Sequence, residues 1–220
     1  VIAFFGVNLA TGGAVVSKIK SEVKGAVNGD PYYNLKDIIF ESNSVSIVSE
    51  TATLVIKVDE EEQFQFYDEN NNIIKTKIDK RENDSYIRFY DSKYFNIYNS
   101  LTIEGPLIRV NQKYSSFPLY AMGDGTIRLI GLRGEPIIMI EKPETFGFIG
   151  KETIGTSRGY IWSRTLPLLK NAFLKGFGPD NYSLAFPQYD YIGKLRAFRN
   201  GTNMIVDKPH NMYLQIATNT

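Results

Sequence analysis

The sequence predicts an α+β fold in which an antiparallel β-sandwich, jelly-roll-like in form, is followed by a mostly helical C-terminal segment. Between residues 44 and 148, apolar and polar residues alternate with a period of two, as at Leu54, Ile56 and Val58. Clusters of turn-forming residues interrupt this alternation at intervals of about 8–12 residues, which is typical of sandwiches and barrels. No helical pattern separates the strands, so a parallel βαβ arrangement is not indicated.

Changes in this periodicity divide the chain into three parts. Residues 1–42 are the predicted N-terminal helical segment, residues 43–149 the sandwich, and residues 150–220 the helical C-terminal segment. Within the first part, apolar residues at helical spacing from Val15 onward predict a short amphipathic helix that ends near Gly25.

The first 16 residues carry no charge. A membrane-spanning helix needs about 20 apolar residues, so this Gly-rich stretch is too short to cross a bilayer alone. It also lacks the basic region that opens a signal peptide. Residues 1–16 are therefore either the edge of a membrane helix cut at the bilayer surface or a strand or helix of the soluble core.

The third part is predicted to hold two helices separated by loops. Ser157 is a candidate N-cap for the first helix, and Pro167 is expected to kink or restart it. Residues 187–209 are expected to be mostly loop. A second helix is expected to begin near His210, directly after a proline.

Composition limits the chemistry that the chain can perform. At 220 residues and 24.9 kDa, with 43% hydrophobic and 22% charged residues, the chain is one large or two small folded domains. The absence of cysteine excludes disulfides, thiolate metal sites and cysteine nucleophiles, and a single histidine disfavours multi-histidine metal sites. A net charge of +1 argues against a nucleic-acid partner.

The charge is unevenly distributed along the chain. Residues 151–220 contain nine Lys or Arg and four Asp or Glu, a formal charge of +5. Residues 1–150 contain sixteen and twenty, a formal charge of −4. Any anionic ligand is therefore expected to bind the C-terminal segment.

One motif of the C-terminal segment is formally that of a serine hydrolase. The sequence Gly-Thr-Ser-Arg-Gly at 155–159 fits the G-x-S-x-G pattern, and Asp190 or Asp207 followed by His210 would complete a triad in the expected order. The strained turn that presents such a serine needs a parallel sheet, whereas the preceding residues indicate an antiparallel one. The hydrolase using Ser157 is therefore the third hypothesis.

Two patterns of the sandwich also suggest ligands. Residues 68–79 partly fit a calcium-binding loop, but Ile73 stands where the sharp turn requires glycine, so a hairpin turn explains them better. The chain has 14 Tyr and 14 Phe, and exposed rings of this kind suit sugars. A non-catalytic carbohydrate-binding sandwich is therefore the main alternative function, although aromatic residues also commonly fill strand-rich cores.

The C-terminal segment contains a candidate anion site. Arg158 lies in the first predicted helical turn, with Trp162 on the same face four residues later and Arg164 on another face. A guanidinium near a helix N-terminus suits phosphate oxygens, and a lone imidazole such as His210 can accept a proton from a hydroxyl. Alternatively, Arg158 pairs with a carboxylate and His210 caps the following helix.

Residues 157–220 resemble the large extracytoplasmic loop of the O-antigen ligase and polysaccharide polymerase family. The resemblance is carried by an ordered set of motifs, none of them specific alone: Arg158 and Trp162, Pro-Leu-Leu at 167–169, Gly-Phe-Gly-Pro-Asp at 176–180, and Lys-Pro-His-Asn at 208–211. It covers less than a third of the chain, and the sandwich would be an insertion ahead of this loop.

The resemblance implies a bacterial membrane glycosyltransferase that needs no metal or other cofactor. Such proteins move a glycan from undecaprenyl diphosphate to an acceptor hydroxyl on the extracytoplasmic side of the cell membrane. By resemblance, Arg158 holds the diphosphate leaving group and His210 orients or deprotonates the acceptor. The expected substrate-binding residues are Trp162, Arg164, Lys208 and Asn211.

The resemblance also implies that the membrane helices of such a protein lie outside this chain. These helices would hold the lipid tail and supply further basic groups. We therefore expect the isolated chain to fold but not to turn over its substrates.

Overall fold

The computed structural model describes residues 17, 35–59, 61, 63–80, 82–112, 115–131, 133–137, 139–172, 175–198 and 201–219. The uncharged residues 1–16 lie outside the described residues. The amphipathic helix predicted to end near Gly25 also lies outside them, apart from Ser17. Among the helices that are described, none has the length and apolarity needed to cross a bilayer.

Two antiparallel sheets and a set of C-terminal helices confirm the predicted α+β class. The first sheet has four strands: β1 Leu35–Phe40, β2 Ser44–Ser49, β3 Thr53–Val58 and β4 Phe64–Tyr67. The second sheet has seven: β5 Thr76–Lys80, β6 Ser85–Phe89, β7 Tyr98–Glu104, β8 Leu107–Gln112, β9 Ser116–Ala121, β10 Ile127–Ile130 and β11 Pro136–Ile137.

The strand order differs from that of a jelly roll. In each sheet the strands lie side by side in chain order, so both sheets are meanders without the Greek-key crossings that a jelly roll requires. The physical reason is the shortness of the connections, as between β7 and β8, where Glu104 pairs with Leu107. Gly105, with φ of 56°, allows the chain to reverse there.

The core of the sandwich is formed by the alternating apolar residues that the sequence predicted. Val45, Ile47, Leu54 and Ile56 of the first sheet are completely buried. They share one hydrophobic cluster with completely buried residues of the second sheet: Ile87 (1% exposed), Leu101, Ile108, Val110, Phe117, Leu119, Ile127 and Leu129. Each such side chain contributes about 1.5–3 kcal/mol through burial alone.

A short helix, α1 (Ser92–Phe95), lies between β6 and β7 of the second sheet and contacts the first sheet. Asp91 caps it by accepting a hydrogen bond from the Lys93 amide at 2.8 Å, and the Tyr94 hydroxyl donates to the Thr53 carbonyl of the opposite sheet at 3.2 Å. Six described aromatic side chains of the sandwich are buried in its core, and three are exposed, namely Tyr90, Phe95 and Tyr120.

The C-terminal segment is helical, as predicted. It contains α2 Ile154–Ala172, α3 Tyr182–Ala185, α4 Tyr191–Ala197, a 3₁₀ turn at Gly201–Asn203 and α5 Met212–Asn219. The prediction that 187–209 is mostly loop missed α4 and the 3₁₀ turn. Helix α4 is short and contains Gly193, so its stability depends on the Asp190 cap and on burial of its apolar side against the sandwich.

Pro167 does not end α2. A proline within a helix has no N–H to donate to the carbonyl four residues earlier, which here is that of Ser163. That carbonyl instead accepts a hydrogen bond from the Phe146 amide at 2.9 Å. The hydrogen bond from the preceding loop therefore compensates for the proline, and the helix continues to Ala172.

The sandwich begins earlier than the predicted boundary at residue 43. Strand β1 starts at Leu35 and pairs with β2 along its length. From α4, Arg196 donates to the backbone carbonyls of Leu35 and Lys36, the latter at 2.7 Å. Apolar side chains of α4 also join the sandwich core, namely Tyr191, Ile192 and Leu195. Sandwich and helical segment therefore share one core.

Candidate functional site

A groove in the C-terminal segment contains the two residues with the strongest predicted roles. It has a volume of about 280 Å³ and is lined by Arg158 and His210 together with Asp207. Its remaining lining is Thr156 and mostly apolar side chains: Ile161, Phe198, Met204, Ile205 and Val206. We call it the Arg158–His210 groove.

The position of Arg158 is set by an unusual start of α2. Three consecutive residues, Gly155, Thr156 and Ser157, have φ between 60° and 68°, so regular helix begins only after Ser157. An N-cap residue has an extended backbone, whereas Ser157 is left-handed. The prediction that Ser157 is the N-cap of this helix is therefore wrong. A Cβ at Gly159 would lie 2.5 Å from the Lys151 carbonyl, so only glycine permits this close approach of the preceding loop.

The Arg158 side chain is exposed at the groove. Arg164 and Arg196 both form ion pairs, whereas Arg158 forms none with a carboxylate of the described residues. Of the carboxylates in the described parts of the chain, none neutralises Arg158. An exposed guanidinium of this kind can bind an anion.

Trp162 positions the loop that carries His210. Its indole N–H donates to the Pro209 carbonyl at 2.9 Å, and its ring lies 5.9 Å from that of Phe148. His210 is exposed and has φ of 49°, a left-handed conformation that few residues other than glycine and asparagine adopt. Trp162 does not line the groove, so it acts on the site through this contact.

Asn211, not His210, caps α5. The Asn211 side-chain oxygen accepts a hydrogen bond from the Leu214 amide at 3.1 Å, which is the bond expected of an N-cap. The imidazole of His210 is thereby left for the groove. Lys208 lies in the same loop, is half exposed and approaches Asp207 at 4.0 Å, but it does not line the groove.

The structure places Arg164 away from the Arg158–His210 groove. Its side chain is 5% exposed, and its Nε donates to Asp190 Oδ2 at 2.8 Å. Its Nη1 donates to Ser163 Oγ at 2.8 Å, and its guanidinium stacks 4.6 Å from the Tyr160 ring. Arg164 is therefore a buried structural residue, and it lies on a different face of α2 from Arg158.

The geometry does not assemble the serine-hydrolase triad from its predicted members. The Ser157 hydroxyl donates to the Ala197 carbonyl at 2.6 Å, which ties α2 to α4. Asp190 accepts from Arg164 and from the Gly193 amide. Both groups are thus committed to structural hydrogen bonds, and Ser157 does not line the groove.

Asp68, the first residue of the possible calcium loop, closes a turn. One of its oxygens accepts from the amides of Asn70 and Asn72, and the other accepts from the Asn72 side chain at 3.0 Å. These hydrogen bonds lower the pKa of the Asp68 carboxyl. The hairpin-type turn expected from the sequence therefore accounts for this loop.

A second groove adjoins the first and shares His210 with it. It has a volume of about 580 Å³ and follows one side of α5 past Asn211, Met212 and Ile216. Met212 is 67% exposed and Ile216 is 58% exposed. This arrangement places an apolar surface beside the Arg158–His210 groove. The sequence signal for it was the pair of apolar residues four apart, which share a helical face.

The loop that leads to His210 is anchored by a residue that the sequence analysis missed. Lys194 is 2% exposed, and its ammonium donates to the carbonyls of Gln188 at 2.7 Å and Met204 at 2.6 Å. Burial lowers the pKa of Lys194 to about 8. Gln188 adds a bond from its side chain to the Val206 carbonyl at 2.7 Å. The Met204–Val206 wall of the groove is fixed by these contacts.

No protein-family model, no curated protein and no solved structure matches the chain. An exposed guanidinium, an imidazole and a carboxylate line one groove, and an apolar groove continues from it. This combination can bind an anionic group that carries an apolar chain, with a proton acceptor nearby.

Proposed function

We propose that this chain is the extracytoplasmic part of a bacterial membrane glycan ligase or polymerase. In this proposal a glycan is transferred from undecaprenyl diphosphate to an acceptor hydroxyl. The observation that carries the proposal is that Arg158 and His210, 52 residues apart in the sequence, line the same groove. The motif resemblance assigns the two residues complementary roles in one reaction.

Arg158 would bind the diphosphate. As the bond between the anomeric carbon and the phosphate oxygen breaks, negative charge develops on the leaving lipid diphosphate. A fixed guanidinium at that point lowers the barrier because its attraction grows with that charge. The apolar groove beside Met212 and Ile216 gives the first carbons of the lipid a surface to follow.

His210 would accept the proton of the acceptor hydroxyl. The acceptor oxygen forms a bond to the anomeric carbon as the diphosphate leaves, and its proton passes to the imidazole. Asp207 lines the same groove. Trp162 and Asn211 hold the backbone on either side of His210 and thereby fix the approach of the imidazole.

The proposal has consequences for partners and for the isolated chain. The partners are the lipid-linked glycan, the acceptor glycan and the membrane, reached through helices outside this chain. No metal, nucleotide sugar or nucleic acid enters the reaction. The isolated chain is expected to bind a lipid diphosphate weakly and not to turn over, because the membrane helices would supply the rest of the binding site.

The direct test is made in cells that carry the full-length protein. Arg158→Ala and His210→Asn should each abolish transfer of the polymer, measured by the length distribution of surface glycan. Asparagine is chosen at 210 because it tolerates the left-handed backbone while removing the imidazole. Arg109→Ala, an exposed arginine of β8, is the matched control and should transfer normally.

The result that would overturn the proposal is normal transfer by both site variants at normal protein levels. Loss of transfer in Arg109→Ala as well would also count against it, because a general loss of surface charge would then explain the effect. A membrane fraction from each strain, probed for the protein, separates loss of activity from loss of the protein.

A further inference from the structure

One wall of the Arg158–His210 groove is held by a buried lysine that does not itself line the groove. The wall is the segment Met204–Val206. Met204 and Ile205 are 38% and 61% exposed, so their side chains do little to fix the segment. Residues 204–209 belong to no helix or strand, so the regular hydrogen bonds of secondary structure do not fix it either. What holds this wall is therefore its contact with Lys194.

The ammonium of Lys194 joins two separate parts of the chain. It donates to the backbone carbonyl of Gln188 at 2.7 Å and to the side-chain oxygen of the same residue at 3.2 Å. It also donates to the Met204 carbonyl at 2.6 Å. An ammonium has three protons to donate, and three acceptors face it here. Because Lys194 is buried, water does not compete for these hydrogen bonds.

Gln188 extends this link to the last residue of the wall. Its side-chain oxygen accepts a hydrogen bond from the Val206 amide at 3.2 Å, and its side-chain nitrogen donates to the Val206 carbonyl at 2.7 Å. Val206 lies four residues before His210 in the same loop. The Lys194 ammonium thus reaches both ends of the wall, directly at Met204 and through Gln188 at Val206.

Loss of the Lys194 proton would weaken this link. A neutral amine has two protons to donate to the three acceptors, and its hydrogen bonds lose the charge assistance that makes those of an ammonium about twice as strong. The groups that face the ammonium are Asp190 and the Tyr191 ring of α4, together with the neutral Gln188 and Met204 of the adjoining loops. Burial lowers the pKa of Lys194 to about 8, and the Asp190 carboxylate opposes this shift.

We propose that Lys194 is a positioning residue of the Arg158–His210 groove. Its ammonium holds the Met204–Val206 wall in the conformation that binds ligand, and loss of its proton loosens the wall and weakens binding. Affinity falls in proportion to the fraction of molecules whose site has the binding conformation. The identity of the ligand, a lipid diphosphate, rests on the proposed function, whereas the positioning of the wall is a property of the fold.

NMR of the 220-residue chain tests the positioning without any ligand. His210 is the chain's single histidine, so its imidazole gives an isolated signal from within the groove. In the wild type, this signal should show an inflection near pH 8, where Lys194 loses its proton, in addition to the titration of the imidazole itself. Lys194→Met should lack that inflection. Lys170→Met, at an exposed lysine of α2, is the matched control and should keep the wild-type curve.

Binding of farnesyl diphosphate, followed by the fluorescence of Trp162, tests the consequence for the ligand. At pH 7, Lys194→Met should weaken binding about tenfold, and the difference should shrink toward pH 9.5 as the wild-type wall loosens too. Gln188→Met keeps the lysine but removes both hydrogen bonds to Val206, and it should also weaken binding. This second variant guards against misfolding of the first.

The proposal is overturned if the His210 signal of the wild type lacks the inflection near pH 8, or if Lys194→Met and Gln188→Met both fold and bind as the wild type does. If the wild type itself does not bind farnesyl diphosphate, the proposed function fails, and the NMR titration alone decides whether Lys194 positions the wall. Failure of the two proposals is therefore distinguishable.

Discussion

The sandwich and the helical C-terminal segment are stabilised in different ways. The sandwich buries apolar side chains and a few neutral polar ones, such as Gln112. In the part of the chain that the structure describes, every buried Asp, Glu, Lys or Arg belongs to the helical segment: Glu152, Arg164, Asp190 and Lys194. Stability in the sandwich therefore depends on apolar area, and in the helical segment on specific charged hydrogen bonds.

Buried charges fix the side-chain geometry of the helical segment more tightly than apolar burial fixes that of the sandwich. Burying a charge is costly, and each buried charge must find its partner for the segment to fold. The Met204 carbonyl that binds Lys194 belongs to the lining of the Arg158–His210 groove, and the Asp190 carboxylate that binds Arg164 caps α4. Charged contacts thus hold this site in place, while the sandwich provides the surface against which it is built.

The strongest test of the comparison is to break the buried ion pair. Arg164→Met should lower the free energy of unfolding by about 3–5 kcal/mol, because it leaves Asp190 buried without its cation. Urea unfolding followed by the fluorescence of Trp162, the chain's single tryptophan, measures this effect. Adding Asp190→Asn should recover part of the loss, since the unpaired charge is then gone. A loss below about 1 kcal/mol would show that the pair is not what stabilises the segment.

A matching change in the sandwich removes apolar volume and no charge. Leu101 is completely buried in β7, and Leu101→Ala should cost about 3 kcal/mol through lost transfer free energy and the cavity left behind. The cost should be the same at pH 6 and pH 9, because no ionisable group changes its environment. Ile78→Ala, at a 54% exposed position, is the control and should cost well under half as much. A strongly pH-dependent cost for Leu101→Ala would contradict the comparison.

The pH dependence of the free energy of unfolding provides a further test, because the helical segment buries Lys194. Burial lowers the pKa of Lys194 from 10.5 to about 8. Between these values the unfolded chain binds more protons than the folded chain, so the free energy of unfolding rises with pH. From pH 8 to pH 9.5 the wild type should gain about 1–2 kcal/mol relative to Lys194→Met.

The measurement is a pair of urea titrations at several pH values, and the quantity of interest is the difference between the two proteins. Buried tyrosines such as Tyr98 and Tyr182, whose pKa values burial raises, contribute equally to both and cancel. Below about pH 7 the difference should be constant, because Lys194 is then protonated in both states. Parallel curves up to pH 9.5 would mean that Lys194 is not desolvated in the folded protein.

The sandwich could be predicted from the sequence because each strand carries its own signal. Inward residues such as Ile47 and Leu54 recur with period two whatever lies on the opposite sheet. Strand β1 was missed because Lys36 and Asp37 interrupt the alternation, and β1 has a shift in register at that point. Helix α4 was missed because its helical state depends on packing against the sandwich.

The candidate sites show the same limit. Arg158 and His210 could be nominated from their motifs, since each motif is local. The role of Arg164 could not be inferred, because its partner Asp190 lies 26 residues away and only the fold brings them together. Single residues can be nominated from sequence, whereas burial and pairing require the fold.

The smallest expected change in stability is at Arg158, and it separates the functional arginine from the structural one. Arg158→Ala should change the free energy of unfolding by less than about 0.5 kcal/mol, because the side chain is exposed and forms no ion pair with a described carboxylate. The same variant should weaken binding of farnesyl diphosphate about 10–100-fold, since a charged hydrogen bond contributes about 1.5–3 kcal/mol. Trp162, whose indole N–H contacts Pro209 beside His210, reports binding through its fluorescence. Arg109→Ala should bind as the wild type does, and equal affinity in the Arg158 and Arg109 variants would remove Arg158 from the site.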